Sequence, residues 1–277
     1  MIIPGSDSQE VAASLAAELD ESLAAVEYER FADGERLVRV PEAGDRAIVV
    51  ASTASDAAHV ELLQLQDAAS ARADEVVTVI PYMGYARQDK AFEPGEPISA
   101  RAMARAISTG TDRVLTINPH EEAVTGFFDV PCSSIDAAGR LAEPLPELSE
   151  PLFLSPDSGA IELAEAVRDA YGGGETDYFE KIRHSDTDVE IQPSDATTAG
   201  RDVVLIDDII ATGSTMSTAI EQLSDPARVF VTCVHPMLAA NARTKLANAG
   251  VDAVCGTDTI ERAVSAVSVA PSIADAL

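Results

Sequence analysis

Residues 203–215 combine carboxylates, hydroxyls and a glycine in an order that suits a phosphorylated sugar. An apolar strand ends in two adjacent carboxylates, Asp207 and Asp208, and the chain then turns through a small loop into a helix. The loop residues are Ala211, Thr212, Gly213, Ser214 and Thr215. Backbone N–H groups and hydroxyls at a helix N-terminus bind anions, because the helix dipole is positive there. Gly213 allows a tight turn and a close approach of the backbone.

The two carboxylates complete this prediction. Asp207 and Asp208 suit the adjacent hydroxyls of a ribose, or a metal ion that bridges those hydroxyls. The segment therefore predicts a ribose 5-phosphate site, with the sugar on the acids and the phosphate on the loop. A helix with an ordinary N-cap and surface aspartates is the alternative.

Polar groups also follow two strands of the first half of the chain. The Arg87 guanidinium suits a polyphosphate, and Gln88 can donate to a phosphate or to a base. His120 comes just after a predicted strand at 113–117, at the carboxyl end, where α/β folds bind ligands. The alternatives are a solvated loop at Arg87 and Gln88, and a capping or packing role for His120.

Lys181 and Arg183 follow three consecutive glycines at 172–174. Glycines with charges predict a mobile loop or a β-ribbon that closes over a ligand. In an extended segment the side chains of Lys181 and Arg183 would share one face. A solvated ribbon without function is the alternative. The other histidines, His59, His184 and His235, are interpreted as structural.

Short apolar runs alternate with amphipathic stretches, which predicts parallel strands joined by helices. The predicted strands are 2–3, 47–52, 75–80, 113–117, 152–155, 203–207, 228–233 and 252–255. The predicted helices are 9–28, 59–73, 99–109, 158–171, 214–224 and 237–249. Because the proline-rich stretch 142–151 predicts a linker, we expect two similar α/β domains, 1–147 and 148–277, each with a mainly parallel sheet flanked by helices.

Acidic residues dominate the composition. The 277 residues include 47 Asp and Glu against 19 Lys and Arg, which gives a net charge of −28. This charge excludes the basic surface that nucleic-acid binding requires. Only three basic residues are lysines: Lys90, Lys181 and Lys245. An acidic chain with so few lysines indicates a saline cytoplasm, where the Debye length falls to about 3 Å near molar salt. An acidic protein of an ordinary cytoplasm is the alternative.

The remaining composition predicts a cytoplasmic protein that binds no membrane. Cys132, Cys233 and Cys255 are odd in number and widely spaced, which favours a reducing compartment over a disulfide framework. No apolar run approaches the roughly 18 residues of a membrane span. The first residues lack the basic and apolar segments of a signal peptide.

Residues 203–215 resemble the phosphoribosyl diphosphate (PRPP) binding motif that type I phosphoribosyltransferases and PRPP synthetases share. Three other stretches resemble ribose-phosphate pyrophosphokinase (PRPP synthetase) and not the transferases. These stretches are RFADGE at 30–35, PYMGYARQDK at 81–90 with EPISA at 96–100, and HEEAVTGFFDVP at 120–131. With SPDSG at 155–159, the resemblance runs in order along most of the chain.

The resemblance implies two phosphoribosyltransferase-like domains, the N-terminal one on the ATP side with the subunit contacts and the C-terminal one with the sugar-phosphate loop. It implies an archaeal, halophile type of ribose-phosphate diphosphokinase, which uses Mg²⁺ to convert ATP and ribose 5-phosphate into PRPP and AMP. It also implies a homo-oligomer whose ATP site is shared between subunits.

The resemblance also implies roles for individual residues. Arg87 and Gln88 would contact ATP, which Phe31, Asp33, Gly34 and Glu35 would reach from a neighbouring subunit. The implied Mg²⁺ ligands are His120 and Asp157, and the implied catalytic pair is Lys181 and Arg183. The implied ribose 5-phosphate contacts are Arg183, Asp207, Asp208, Ala211, Thr212, Gly213, Ser214 and Thr215.

One position departs from the family pattern. The family usually has an aspartate two residues before the histidine, and this chain has Asn118. The sequence therefore offers one carboxylate fewer near His120. Two alternatives stay open: a type I phosphoribosyltransferase, which releases diphosphate and needs no ATP, and a catalytically silent relative that serves as a regulatory subunit.

Overall fold

The computed structural model describes residues 1–183, 189–192 and 196–277, and it describes only the backbone of 180–183 and 189–192. His184 lies outside these residues. The chain forms two compact units. The first unit comprises Met1–Asp136, Asp258–Glu261 and Ser268–Leu277, and the second comprises Ala137–Thr257 and Arg262–Val267.

A five-stranded parallel sheet forms the centre of the first unit. The elements before residue 137 are β1 (Ile2–Pro4), α1 (Gln9–Glu18), β2 (Glu27–Arg30), β3 (Arg36–Arg39), β4 (Arg46–Val50), α2 (Asp56–Ser70), β5 (Glu75–Ile80), α3 (Ser99–Ile107), β6 (Arg113–Ile117) and β7 (Cys132–Ile135). The strand order is β1-β4-β5-β6-β7, and β2 pairs with β3 as a separate antiparallel hairpin.

Strand β5 shows why this sheet is parallel and covered by helices. Its residues from Val76 to Ile80 are all buried, so both of its faces lie in the core. Leu62 and Leu65 of α2 are fully buried in the same core. Continuous apolar strands of this kind occur where helices cover both faces of a parallel sheet.

A six-stranded parallel sheet forms the centre of the second unit, in the order β15-β14-β13-β12-β8-β9. The elements from residue 137 onward are β8 (Leu152–Ser155), α4 (Ile161–Tyr171), β9 (Glu175–Tyr178), β10 (Glu180–Arg183), β11 (Val189–Gln192), β12 (Asp202–Ile209), α5 (Ser214–Glu221), β13 (Arg228–His235), α6 (Ala242–Asn248), β14 (Ala253–Thr257), β15 (Ser265–Val267) and α7 (Ala270–Ala274). Helix α7 belongs to the first unit. Two parallel sheets flanked by helices confirm the predicted fold class.

The division of the chain differs from the expected boundary at 147. The backbone N–H of Ser149 donates to Asp202 Oδ2 over 2.6 Å, which joins the proline-rich stretch to the start of β12. That stretch therefore belongs to the second unit, and 268–277 returns to the first unit instead of ending the second. Proline content indicated an irregular segment, but hydrogen bonds decide the unit to which it belongs.

The predicted helix 9–28 is too long. Helix α1 ends at Glu18, and Asp20 has a left-handed backbone conformation with φ of 53°. The backbone N–H of Ala24 then donates to the carbonyl of Ile2 over 2.8 Å, and the chain continues into β2. Pairing with β1 overrides a sequence pattern that would otherwise continue the helix.

The described part of the chain has no helix that is both long and apolar enough to span a lipid bilayer. The thiols of Cys132, Cys233 and Cys255 are all free. His59 and His235 are buried, in agreement with their structural interpretation.

Candidate functional site

Three carboxylates approach one another at the carboxyl ends of β8 and β12. Asp207 Oδ1 accepts from the backbone N–H of Asp208 over 3.0 Å, and Asp208 Oδ1 accepts from that of Ile209 over 2.8 Å. Burial raises the pKa of Asp207 well above its usual value, and the negative charges of Asp208 and Asp157 raise it further. Such a group of acceptors can bind the hydroxyls of a sugar.

The loop after β12 is held by backbone hydrogen bonds to the segment before α6. Leu238 N donates to the carbonyl of Ile210 over 2.9 Å, and Ala239 N donates to that of Ala211 over 2.8 Å. Gly213 has φ of 73°, and a Cβ there would lie 3.3 Å from the carbonyl oxygen of Ala242. A side chain at this left-handed position would be strained and would press against α6, which favours glycine.

Exposed hydroxyls surround the start of α5. Thr212, Ser214 and Thr215 are exposed, and Thr212 Oγ1 lies 3.3 Å from Ser214 Oγ. Lys245 Nζ donates to Ser214 Oγ over 2.7 Å. The loop thus presents hydroxyls and a helix N-terminus beside the carboxylates, as the sequence predicts. The sequence motif does not include Lys245, which lies 30 residues after Thr215. The only feature of the sequence that could have drawn attention to Lys245 is that the chain has just three lysines.

Arg87 and Gln88 lie on an anchored loop after β5. Gly84 N donates to Thr53 Oγ1 over 2.9 Å, and a Cβ at Gly84 would lie 2.1 Å from the carbonyl oxygen of Thr53. The carbonyl of Gln88 accepts from Ala100 N over 3.2 Å, which ties the loop to α3. The side chains of Arg87 and Gln88 are exposed. A fixed backbone with exposed donors is a suitable arrangement for binding a polyphosphate.

Tyr85 links this loop to α2. Its hydroxyl donates to Asp56 Oδ1 over 2.5 Å, and its ring centroid lies 5.6 Å from that of His59. His59 is 7% exposed, and its Nε2 has no hydrogen-bond partner within the described residues. Burial lowers the pKa of His59 below its usual value. The imidazole therefore packs beneath the loop in its neutral form.

The β2–β3 hairpin presents its turn to solvent. Phe31 is 44% exposed, and Asp33 and Glu35 are also exposed. Phe31 N donates to the carbonyl of Glu35 over 2.8 Å, and Glu35 N donates to Asp33 Oδ1 over 3.1 Å. Gly34 has φ of 96°. The exposed tip is compatible with contacts to a second molecule, and equally with the plain turn that these hydrogen bonds describe.

His120 is exposed in the segment after β6. The nearby Asn118 has φ of 33°, and its side-chain amide donates to Asp136 Oδ1 over 2.8 Å. Asp136 follows β7, the neighbouring strand. The sequence reasoning missed Asp136, because nothing in the spacing of Asn118 and Asp136 shows that two parallel strands bring them together.

Lys181 and Arg183 lie on β10, which pairs with β11 as an antiparallel hairpin. Their backbone partners are Ile191 and Val189. The hairpin confirms the predicted β-ribbon; the side chains of both residues lie outside the described part.

The two implied metal ligands lie in different units, with His120 in the first and Asp157 in the second. Within the described residues, no three His, Cys, Asp or Glu side chains form a group that could hold a metal ion. Asp157 Oδ1 accepts from Gly159 N over 3.0 Å. One or two carboxylates still fit Mg²⁺, which keeps several of its waters and completes its shell with substrate phosphates.

This chain is similar to known proteins over its whole length. Residues 1–110 match the N-terminal domain of ribose phosphate pyrophosphokinase, and residues 133–269 match the phosphoribosyl transferase domain. The chain is 64% identical to the ribose-phosphate pyrophosphokinase of Halobacterium salinarum, with 100% of both chains covered. The chain belongs to the ribose-phosphate pyrophosphokinase family. A more distant relative in Methanopyrus kandleri, also named ribose-phosphate pyrophosphokinase, is 41% identical over 100% of this chain and 98% of its own.

A solved structure of the same family shares the fold. The crystal structure of phosphoribosylpyrophosphate synthetase from Mycobacterium smegmatis has a TM-score of 0.82 at 28% identity, and the match covers 100% of this chain and 96% of that one. The match over residues 1–110 is to a pyrophosphokinase domain, so a type I phosphoribosyltransferase would account only for the part that contains the 203–215 loop.

Proposed function

We propose that this chain transfers the diphosphoryl group of ATP to the anomeric hydroxyl of ribose 5-phosphate. The anomeric oxygen attacks the β-phosphorus in line, the bond from that phosphorus to the α,β-bridging oxygen breaks, and AMP leaves with the bridging oxygen. The hydroxyl proton is released. The products are PRPP and AMP, which would serve nucleotide biosynthesis. The observation that carries this proposal is the juxtaposition of Asp207 and Asp208 with the hydroxyl loop, in a chain of this family.

The sugar side of the site lies in the second unit. Asp207 and Asp208 would accept hydrogen bonds from the ribose hydroxyls. These hydrogen bonds would stabilise two carboxylates that repel one another. The backbone of 211–215 and the exposed hydroxyls of Thr212, Ser214 and Thr215 would hold the 5-phosphate. Because backbone hydrogen bonds from Leu238 and Ala239 hold the loop, these donors are oriented before the substrate arrives.

The ATP side of the site would use the first unit. Arg87 can bind phosphate oxygens with two parallel N–H groups, and Gln88 can donate to phosphate or base. Phe31, Asp33, Gly34 and Glu35 would reach ATP from a neighbouring subunit, which the exposure of Phe31, Asp33 and Glu35 at the hairpin tip permits. This arrangement requires a homo-oligomer.

Charge neutralisation would come from cations on and near the substrates. His120 and Asp157 are the residues proposed to bind Mg²⁺, which would reduce the negative charge of the ATP phosphates. Lys181 and Arg183 would stabilise the charge that develops between the attacking oxygen and departing AMP, with Arg183 also contacting ribose 5-phosphate. Both residues lie on the β10–β11 hairpin, which could close over the bound substrates.

The cellular setting follows from composition. We place the enzyme in a saline cytoplasm, because a net charge of −28 repels anionic substrates unless salt screens it. Two substrates that carry phosphates then depend on Mg²⁺ and on molar salt for association.

The reaction itself is tested by incubating the protein with ATP, Mg²⁺ and ribose 5-phosphate in molar KCl. AMP and PRPP should form in equal amounts, and only when ribose 5-phosphate is present. Formation of ADP, or a requirement for a nucleobase with release of diphosphate, would contradict the proposal. A folded protein that binds both substrates but forms no AMP would instead be the silent regulatory relative.

A further inference from the structure

Lys245 brings a positive charge to the N-terminal end of α5. Its Nζ lies 2.7 Å from the Oγ of Ser214, the first residue of that helix. The N-terminal end of a helix already carries a partial positive charge, so a cation there is electrostatically unfavourable by itself. An anion bound between the ammonium and the helix would reverse the sign of this interaction. The placement of Lys245 therefore points to an anionic ligand at this position.

The backbone around the loop fixes where Lys245 can reach. Lys245 is half-buried on α6, and the next residue, Leu246, is fully buried in the core of the second unit. One turn earlier, Ala242 packs closely against Gly213 of the loop. Because α6 is anchored both to the core and to the loop, the backbone of Lys245 is held within reach of the loop, and its side chain contacts Ser214 there.

The hydrogen bond leaves Lys245 with capacity for a ligand. An ammonium has three donors, and one of them is used by Ser214 Oγ. A hydroxyl that accepts from a cation becomes a better donor through its own hydrogen, because linked hydrogen bonds polarise one another. A phosphate at the loop could thus accept from Ser214 Oγ and from Lys245 Nζ together.

We propose that Lys245 binds the 5-phosphate of ribose 5-phosphate together with the 211–215 loop. The loop supplies backbone N–H groups and hydroxyls but no charged side chain, and Lys245 adds the missing positive charge from α6. This inference rests on the proposed function, since it assigns the anion at the loop to the sugar phosphate.

The test compares the loss of charge at two positions of the same helix. Lys245→Met keeps the length of the side chain and removes its charge, Lys245→Gln is a second neutral variant, and Lys245→Arg keeps the charge. Arg243→Met is the matched control, since Arg243 is exposed on α6 and also carries one positive charge. Each protein is assayed in molar KCl for its KM values, and its dissociation constant for ribose 5-phosphate without ATP is measured by titration calorimetry.

Both neutral Lys245 variants should bind ribose 5-phosphate about ten- to a hundredfold more weakly, the usual effect of losing a hydrogen bond to a charged group. Their KM for ATP should stay within about twofold, and Lys245→Arg should keep most of the affinity. Arg243→Met should leave the dissociation constant for ribose 5-phosphate and the KM values for both substrates unchanged. Unchanged affinity for ribose 5-phosphate in Lys245→Met and Lys245→Gln would overturn the inference. An equal loss of affinity for ribose 5-phosphate and for ATP, together with a lower Tm, would also overturn the inference, because the Lys245 contact would then be purely structural.

The outcomes separate this inference from the proposed function. If the wild-type protein forms AMP and the neutral variants bind ribose 5-phosphate normally, only the role of Lys245 fails. If the wild-type protein binds ribose 5-phosphate through Lys245 but forms no AMP, only the proposed reaction fails. Wild-type protein that neither forms AMP nor binds ribose 5-phosphate would overturn both.

Discussion

The side-chain amide of Asn118 donates a hydrogen bond to Asp136 Oδ1 over 2.8 Å. Asn118 has a positive φ of 33°, a region that Asn and Asp tolerate better than other residues with a Cβ. An aspartate at 118 would therefore fit the backbone but would turn the donor into a second carboxylate. The asparagine that replaces the usual aspartate of the family at 118 thus donates its amide hydrogen to the carboxylate of Asp136.

Replacing Asn118 by Asp should lower the free energy of unfolding by about 1 kcal/mol, because a hydrogen bond is exchanged for a repulsive pair. The variant Asn118→Asp with Asp136→Asn restores one donor and one acceptor, so it should recover most of the stability. Denaturant unfolding in EDTA and low salt measures both effects. Single and double variants of equal stability would show that the pair contributes nothing.

Salt should stabilise this protein strongly. Diluting KCl from molar to tens of millimolar should lower Tm and activity together, because unscreened carboxylates repel one another at a net charge of −28. Calorimetry across a KCl series measures the effect. At about pH 4 the dependence on salt should shrink, since many carboxylates are then protonated. A Tm that does not change on dilution would contradict the saline interpretation.

His59 should make stability depend on pH between neutrality and mild acid. Its pKa is lowered by burial in the folded chain, against the partial opposing effect of Asp56, while in the unfolded chain it keeps a value near 6.5. Below about pH 6.5 the unfolded chain takes up a proton that the folded chain refuses, so stability falls as the pH falls towards the lowered pKa. Above that range the contribution is constant.

His59→Gln should remove this component. The difference in Tm between the wild type and the variant should change between about pH 7 and pH 5, with the wild type losing more stability on acidification. Parallel curves for the two proteins would show that His59 does not titrate in this range.

The strands were the most predictable part of the fold. Runs such as 75–80 and 113–117 are mostly apolar, and the structure has strands over the same residues. The β2–β3 hairpin was missed, because Glu27–Arg30 is mostly charged and exposed. That strand exists through its pairing with β3, which in turn packs on α2, and a local pattern contains neither relationship.

Some residues of the site can be predicted from neighbouring positions in the sequence, whereas others approach the site only in the folded chain. Asp207, Asp208 and the loop up to Thr215 are continuous in sequence, so their types and order predict their chemistry. Asp157 and Lys245 reach this region from β8 and α6, and their approach depends on the order of strands in the sheet. Motif spacing predicts the first group, whereas only the assembled fold gives the second.

The shared ATP site can be tested by mixing two inactive variants. Glu35→Ala and Arg87→Ala should each be weak, because each would remove one side of the ATP contacts. After mixing and reassembly, some sites would combine an intact hairpin from one subunit with an intact Arg87 loop from another. Activity should then return to about a quarter of the wild-type level if random pairs form and each site works independently. No recovery, although hybrid oligomers form, would contradict a site shared between subunits.

Lys181 should affect the chemical step and not the binding of substrates. If Lys181 and Arg183 stabilise charge only in the transition state, Lys181→Ala should lower kcat by about two to four orders of magnitude, with much smaller changes in both KM values. Arg183→Ala should behave alike, and the double variant should lose less than the product of the single losses, since the two residues act as one unit. Tm should change little, because β10 and β11 pair with each other in a sheet of their own. Turnover within a few-fold of the wild type in Lys181→Ala would show that the hairpin is an ordinary solvated ribbon and that charge neutralisation lies elsewhere.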